Sequence, residues 1–339
     1  IAKSYREKLP ARIIGLAGSF GKTMTKDLIR ALLSTQFSVG ASPESFNSQI
    51  GVALSLLSLR SEHSIGIIEA AISHPNEMDV LANMIRPTYT IMTPVGKKHM
   101  ATLEDLTKLK EETFKLIKAT SAQGWSLLPH EDKSEINLSH LGCPVHFWDL
   151  YDSKLPFASP SPSAPLTHYR ITFPSGDIFE DEIKNGHAYF FNLINMAIRA
   201  AWLLGISLKN IVSIIQNYQP EPTRTEIWKS SLGTIFINDT YCSDPQSIDH
   251  SLKHFHHASP ESRNIFVFGG MRSETERHAT CYKRIGKAIA SSKIKHLCLV
   301  GQKNFVPLIE EVQRHSLEIA ISSFEDYNSA FSYLREMVR

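Results

Sequence analysis

The residues with the clearest chemistry form a short glycine-containing loop near the start of the sequence. The loop consists of Gly18, Ser19, Phe20, Gly21, Lys22 and Thr23. It follows the mainly apolar run Arg12–Ala17 and opens a helical pattern over Lys22–Leu33. Such a turn presents backbone N–H groups to an anion, while the lysine reaches phosphate oxygens and the hydroxyl binds Mg²⁺. The loop therefore predicts phosphate binding, although the strict P-loop spacing requires glycine where this chain has Leu16.

Three more polar residues could act on a metal-bound triphosphate. Glu69 ends the run "SIGIIE", and His99 ends the run "TIMTPVGKKH", so both stand at the expected carboxyl ends of strands. Ligands of open α/β sheets bind at that edge. Each residue also has a structural alternative: Glu69 could cap the next helix, and His99 could be a surface loop residue. Lys110 lies in a charged helical pattern, which by itself favours a solvated face.

The composition is that of an ordinary globular protein. The 339 residues are 42% hydrophobic and 21% charged, with a net charge of +2. Such a charge indicates neither a nucleic-acid surface nor an acidic tail. No apolar run approaches the roughly 18 residues of a membrane span, and no signal-peptide pattern opens the chain. The four cysteines form no C-x-x-C pair, which favours a reducing compartment and hence the cytoplasm.

Strand-like and helical patterns alternate along the first two thirds of the chain. The predicted strands are Arg12–Ala17, Ile65–Glu69, Tyr89–Thr93 and Trp125–Leu128, and the predicted helices are 22–33, 49–59, 76–84 and 103–119. This alternation predicts an α/β fold, with a mainly parallel sheet covered by helices. The Pro/Ser-rich stretch 155–165 is expected to be a surface loop, and 167–183 to be a β-hairpin.

A second unit is predicted after the Pro- and Thr-rich stretch 219–226. Alternation restarts there, with strands at 234–238, 264–268 and 296–300 and helices at 245–255, 279–291 and 324–338. We therefore predict two domains, a P-loop central domain over residues 1–222 and a smaller Rossmann-like α/β domain over 223–339. Because the sequence begins with Ile1, we expect it to be a fragment.

Seven stretches, in order, resemble motifs of the Mur ligase family. They are AGSFGKTMTKDLI, SFNSQIGVALSLL, IEAAISHPNEMDVLANMIRPTYTIMTPVGKKH, FNLINMAIRAAWLLGISLKNI, PEPTRTEI, INDTYCSDPQSI and VFGGMRSE. The family loop also lacks the first Walker glycine, which accounts for Leu16. The residues of these motifs are most similar to those of the MurF type, which joins D-alanyl-D-alanine to UDP-N-acetylmuramoyl-tripeptide. No stretch resembles the family's N-terminal uridine-binding domain or its C-terminal K-G-S-R segment.

The resemblance implies an ATP- and Mg²⁺-dependent amide ligase of peptidoglycan synthesis. ATP phosphorylates a carboxylate of the UDP-linked muramyl peptide, a dipeptide amine attacks the acyl phosphate, and phosphate leaves. It implies the following nucleotide and metal contacts: Gly18 to Lys22 for the β- and γ-phosphates, Thr23 and Glu69 for one Mg²⁺, and His99 and a carbamylated Lys110 for a second. Lys22, Lys110 and His99 are thus the expected catalytic residues.

The remaining assignments also come from the family pattern. They are Asn192 near the adenine, Arg224 at the domain hinge, Asp239 on the ribose and Asn47 on the substrate side. We further expect a cytoplasmic monomer without a nucleic-acid partner.

Several positions depart from the family pattern. They are Pro94 in place of the asparagine of T-N-V-G, Ala188 and Tyr189 in place of the adenine-side His and Asn, Cys242 and Asp244 in place of two asparagines, and Gly270 in place of an aspartate. The departures leave alternatives open. One is a related ligase with another acceptor, like cyanophycin or folylpolyglutamate synthetase, and another is a non-catalytic nucleotide-binding homologue.

Three other hypotheses have weaker support in the sequence: a P-loop kinase or GTPase, a zinc site and a catalytic cysteine. A P-loop kinase or GTPase lacks support, because no D-x-x-G or N-K-x-D pattern is present. His250 and His254 are four residues apart, a spacing seen in zinc sites, but no H-E-x-x-H motif or nearby cysteine completes a ligand set. We expect a solvated helix end there. Cys242 is treated as a substitution rather than a nucleophile, because the sequence shows no histidine that would activate it.

Overall fold

The structure is a computed structural model of the whole chain. It describes residues 1–96, 106–134, 138–160, 168–182, 188–219, 222–224, 226–241, 243, 245–252, 263–271 and 278–337. The chain divides into two compact units, Ile1–Tyr218 and Gln219–Arg339. Within the described residues, no helix combines the length and the apolar character needed to cross a bilayer.

A six-stranded parallel sheet forms the centre of the first unit, in the order β2-β3-β1-β4-β5-β6. The strands are β1 (Arg12–Ala17), β2 (Val39–Ala41), β3 (Ile65–Glu69), β4 (Tyr89–Met92), β5 (Trp125–Leu128) and β6 (Val145–Phe147). The predicted parallel sheet is confirmed. Only the edge strands β2 and β6 were not predicted, because three residues carry too little periodicity to mark a strand.

Helices cover both faces of this sheet. They are α1 (Ala2–Arg6), α2 (Lys22–Leu33), α3 (Gln49–Ser58), α4 (Glu77–Ile85), α5 (Leu106–Lys118), α6 (Ala188–Leu203) and α7 (Leu208–Asn217). Ile14 and Leu16 of β1 pack into one core with α2, α6 and α7, and Ile13 and Ala17 pack into the other with α3, α4 and α5. A strand buried on both faces reads as an unbroken apolar run, which is the pattern of β1 in the sequence.

An antiparallel sheet completes the first unit. It contains β7 (Phe157–Pro160), β8 (His168–Thr172) and β9 (Ile178–Glu182), in the order β7-β8-β9. The β8–β9 hairpin agrees with the prediction. The predicted surface loop over 155–165 is wrong for Phe157–Pro160, which pair with β8. An edge strand tolerates Pro160, because its outer side needs no ladder hydrogen bond.

The second unit contains a smaller parallel sheet and a separate hairpin. Its elements are β10 (Glu226–Lys229), β11 (Ile235–Asn238), α8 (Pro245–Leu252), β12 (Ile265–Phe268), α9 (His278–Ala290), β13 (His296–Val300), α10 (Val306–His315), β14 (Ala320–Phe324) and α11 (Tyr327–Met337). Strands β12, β13 and β14 are parallel, while β10 and β11 are antiparallel. The predicted smaller α/β unit is thus confirmed. The sequence interpretation missed β10, α10 and β14.

Candidate active site

Parallel pairing gathers the polar residues of several strands at one edge. The carboxyl end of β1 leads into the glycine loop, and β3 ends at Glu69. Thr93 and Pro94 follow β4, the neighbour of β1 on the other side, and Asp132 follows β5. Because parallel strands end at the same side of the sheet, residues distant in sequence become neighbours there.

The glycines of the loop have conformations that other residues avoid. Gly18 has φ +126°, and Gly21 has φ +74° as it caps the N-terminus of α2. A Cβ atom on Gly18 would lie 2.2 Å from Thr93 Oγ1 and 2.5 Å from the Thr93 carbonyl oxygen. The loop therefore needs glycine at position 18 for its backbone angle and for its close approach to the residues after β4.

The residues after β4 brace the loop through hydrogen bonds. The backbone N–H groups of Ser19 and Phe20 donate to the Pro94 carbonyl, with N–O distances of 3.0 and 3.3 Å. Ser19 Oγ donates to the Gly96 carbonyl at 3.0 Å. The contact at position 94 uses a carbonyl oxygen, which proline keeps. The departure from the family pattern at Pro94 thus leaves this brace intact.

Lys22 lies at the mouth of the loop. Its Nζ donates to the Gly18 carbonyl at 2.7 Å, and the side chain is half-buried. A small pocket beside it is lined by Gly18, Ser19, Lys22, Ala70, Ala71, Ile72, Met78, Leu109 and Thr113. The lysine therefore stands between the loop backbone and a pocket at the carboxyl edge of the sheet, where a phosphate could replace its contact to Gly18.

Glu69 is held by two side chains from different elements. Thr23 Oγ1 donates to Glu69 Oε2 at 2.9 Å, and Asn47 Nδ2 donates to Glu69 Oε1 at 2.7 Å. The backbone N–H of Glu69 also donates to Ser42 Oγ at 3.1 Å. Thr23 and Glu69 are almost fully buried, with 4% and 1% of their surfaces exposed. Asn47, expected on the substrate side, thus contacts a predicted metal ligand.

This arrangement fits a magnesium ion in its donor chemistry. Mg²⁺ prefers hard oxygen ligands, commonly one or two carboxylates together with substrate phosphates. Thr23 and Glu69 supply a hydroxyl and a carboxylate beside the phosphate loop. Thr93 Oγ1 is buried against the same loop and has no hydrogen-bond partner among the described residues. A polar atom buried in this way is a group that a bound ligand could satisfy.

Lys110 forms a buried ion pair with a residue that sequence reasoning missed. Its Nζ lies 2.7 Å from Asp132 Oδ1, and the two side chains are 11% and 1% exposed. The sequence did carry a signal for Asp132, because this residue comes four positions after the end of the apolar strand β5, while Glu69 ends β3. A second missed residue is Lys26, which is buried and donates to the carbonyls of Ser42, at 2.9 Å, and Glu44. It ties α2 to the loop that carries Asn47.

Of the other predicted site residues, Asn192 is in the first unit, Arg224 and Asp239 are in the second, and His99 is outside the described residues. Asn192 is half-buried in α6 of the first unit. Arg224 belongs to the second unit, where its guanidinium lies over the Tyr241 ring, 3.5 Å from the centroid. Asp239 also belongs to that unit and accepts a hydrogen bond from Ser251 Oγ. His99 lies outside the described residues, as do Cys242, Asp244 and His254.

Metal ligation by clusters of His, Cys, Asp or Glu has no support in the described part of the chain. No group of three such side chains there is arranged to hold a metal ion. The side chain of His250 is also outside the description, so the prediction of a solvated helix end stays a prediction.

The sheet, its covering helices and the braced loop define an α/β protein of the phosphate-loop class. The sequence profile of the Mur ligase middle domain matches residues 16–159, and that of the Mur ligase glutamate ligase domain matches residues 223–339. The chain belongs to the Mur ligase family. The resemblance inferred from the sequence motifs is confirmed.

Curated relatives point to one branch of the family. UDP-N-acetylmuramoyl-tripeptide–D-alanyl-D-alanine ligase of Bacillus subtilis is 26% identical over 307 residues, which cover 89% of this chain and 65% of the relative. The enzyme of the same name from Treponema pallidum is 28% identical over 303 residues, covering 89% and 64%. The chain thus spans just under two thirds of the length of these two relatives.

Solved structures show the same fold. MurF from Acinetobacter baumannii superposes with a TM-score of 0.83 at 20% identity, covering 99% of this chain and 72% of that one. MurF from Thermotoga maritima in complex with ADP gives a TM-score of 0.77 at 16% identity, covering 99% and 81%. The predicted fold class is confirmed by these similarities.

Proposed function

We propose that this chain provides the ATP-binding and amide-forming part of an ADP-forming ligase of peptidoglycan precursor synthesis. The reaction joins D-alanyl-D-alanine to UDP-N-acetylmuramoyl-tripeptide. The observation that carries the proposal is the buried Thr23–Glu69 pair beside a braced phosphate loop. It occurs in a chain of the Mur ligase family, and two of its relatives are named for this reaction.

The loop and Lys22 bind the triphosphate in this proposal. The Gly21 cap places the N-terminus of α2 toward the ligand, and the helix dipole there favours negative charge. Lys22 exchanges its bond to the Gly18 carbonyl for phosphate oxygens. Its charge then offsets the negative charge that develops as the γ-phosphoryl group is transferred.

Thr23 and Glu69 hold one Mg²⁺, and Asn47 orients the carboxylate of Glu69. A bound magnesium ion would neutralise phosphate charge at this point. His99 and a carbamylated Lys110 are proposed as ligands of a second ion. We propose that Asn192 contacts the adenine and that Asp239 contacts the ribose. Arg224 is proposed to act at the hinge between the domains.

The proposed ligation consists of two substitutions, the first at the γ-phosphorus of ATP and the second at the acyl carbon. A carboxylate oxygen of the muramyl peptide attacks the γ-phosphorus of ATP, so the bond to the bridging oxygen breaks and ADP leaves. The dipeptide amine then attacks the acyl carbon, loses a proton and expels inorganic phosphate, which leaves the amide. Buried groups fixed at the sheet edge can stabilise both charged states without reorganising.

The cellular setting is also proposed. The substrates are a UDP-linked muramyl peptide and a dipeptide amine, and we place the reaction in the cytoplasm with a monomeric enzyme. The three described cysteines, Cys143, Cys281 and Cys298, are free thiols, which is consistent with a reducing compartment.

Phosphate release tests the proposed function directly. The full-length gene product is incubated with ATP, Mg²⁺ and UDP-N-acetylmuramoyl-tripeptide, with and without D-alanyl-D-alanine. Release that requires both substrates, and that is lost in Lys22→Ala, supports the ligase. Release with a different amine acceptor instead favours a related ligase. ATP binding without release under any of these conditions contradicts the proposal and favours a non-catalytic homologue.

A further inference from the structure

Asp132, which forms a buried ion pair with Lys110 at the edge of the site, has no part in the assignments above. Lys110 is in the second turn of α5, and its Nζ lies 2.7 Å from Asp132 Oδ1. Both residues are at least nine-tenths buried as whole residues. Charges this deeply buried are costly unless they are paired. Solvation at the protein surface therefore does not account for a carboxylate at position 132.

The backbone on both sides of the pair is fixed. Asp132 lies in a 3₁₀ turn, His130–Ser134, directly after β5. Its N–H donates to the Pro129 carbonyl at 3.2 Å, and the N–H of His130 donates to Asp149 Oδ1 at 2.6 Å. Lys110 is on a helix that packs against the sheet. The distance between Nζ and the carboxylate is thus set by two ordered elements.

The same part of α5 borders the phosphate-loop pocket. Leu109 and Thr113 line that pocket together with Gly18 and Lys22. Lys110 follows Leu109 and is three residues before Thr113, a helical spacing at which side chains are neighbours. Lys110 is therefore on the part of α5 that borders the phosphate-loop pocket.

We propose that Asp132 is the positioning residue for Lys110, holding Nζ so that a carboxylate bonded to it faces the phosphate loop. This inference rests on the proposed function, in which Lys110 carries a carbamate. To form it, the ammonium releases a proton, Nζ bonds to the carbon of carbon dioxide, and a second proton leaves. One N–H remains on Nζ and donates to Asp132. The two carbamate oxygens are repelled by the Asp132 carboxylate and are left for the metal ion.

The test measures the carbamate itself as well as catalysis. The full-length protein is equilibrated with ¹³C-bicarbonate, and the carbamate is quantified by ¹³C NMR, with Lys110→Ala identifying the signal. Asp132→Ala removes the acceptor, whereas Asp132→Asn keeps an acceptor oxygen without the charge. Asp79→Asn is the matched control. Asp79 of α4 forms an exposed ion pair, at 2.6 Å, with Lys115, which is on the same helix as Lys110.

We expect carbamate occupancy and ligation rate to fall together by about tenfold or more in Asp132→Ala, as for partners that orient a metal ligand. Asp132→Asn should retain most of the signal, and Asp79→Asn all of it. Wild-type occupancy in a folded Asp132→Ala, or an Asn variant that loses the carbamate, overturns the inference. So does ligation by a wild-type protein that shows no carbamate. A carbamate that depends on Asp132 in a protein that does not ligate contradicts the proposed function alone.

Discussion

Thr23 and Glu69 are 46 residues apart in sequence, yet the hydroxyl of one donates to the carboxylate of the other at 2.9 Å. The contact joins the first turn of α2 to the last residue of β3. It forms because β1, which leads into α2, pairs with β3 in parallel and in a register that places Leu16 beside Glu69. The contact thus shows that the glycine loop and the end of β3 lie at the same edge of the parallel sheet.

This contact predicts how magnesium and nucleotide binding depend on Thr23. Thr23→Val keeps the shape but removes the hydroxyl, and we expect Mg²⁺-dependent ATP binding to weaken by about tenfold or more, since a hydrogen bond to a charged group contributes roughly 1.5–3 kcal/mol. Thr23→Ser should bind nearly as well as the native protein. Calorimetric titration with ATP in Mg²⁺ and in EDTA measures this. Equal loss in both buffers would show that the hydroxyl does not act through the metal ion.

Gly18 offers a second prediction. Gly18→Ala places a Cβ 2.2 Å from Thr93 Oγ1 and 2.5 Å from its carbonyl oxygen, so the loop must shift. We expect loss of ATP binding together with a lower melting temperature. Gly176→Ala is the matched control, because Gly176 also has positive φ but has no atom within 4 Å of the added Cβ. The control should cost about 1 kcal/mol of stability and leave binding unchanged. Equal behaviour of the two variants would argue against a steric role at position 18.

The buried contacts of Lys26 predict that its replacement lowers the free energy of unfolding. Its side chain is 2% exposed, and its ammonium donates to the carbonyls of Ser42 and Glu44. Lys26→Met leaves those acceptors without their donor, and we expect the free energy of unfolding of the first unit to fall by about 1–3 kcal/mol. Urea unfolding followed by tryptophan fluorescence measures it. Lys118→Met, at an exposed position of α5, is the control, and an equal change in both variants would contradict the buried role.

Cys298 predicts a difference in thiol reactivity. Burial on β13 raises the pKa of its thiol to about 11. Because the thiolate is the nucleophile, a raised pKa leaves little reactive form at pH 8. We expect iodoacetamide to modify Cys298 only after unfolding, while the half-buried Cys281 reacts in the native protein. Peptide mass spectrometry after timed labelling follows both sites. Native-state labelling of Cys298 as fast as that of Cys281 would contradict burial of β13.

The sequence by itself determined the local elements and the family. Apolar runs with two buried faces marked β1, β3, β4 and β5, and the glycine loop marked the start of α2. These features depend on residues adjacent in the chain, so their pattern survives in one dimension. The motif order likewise predicted the Mur ligase family, which the two domain profiles confirm.

Tertiary structure decided which of these elements meet. Strand order and register brought Asn47 to Glu69 and Asp132 to Lys110, contacts across 22 residues in each case. No local pattern encodes such pairs, because they depend on hydrogen bonding between strands that are distant in sequence. The same holds for β7, whose proline-rich sequence looks like a loop and becomes a strand only because β8 offers it a free edge. Local propensity is a small free energy, and pairing across the sheet outweighs it.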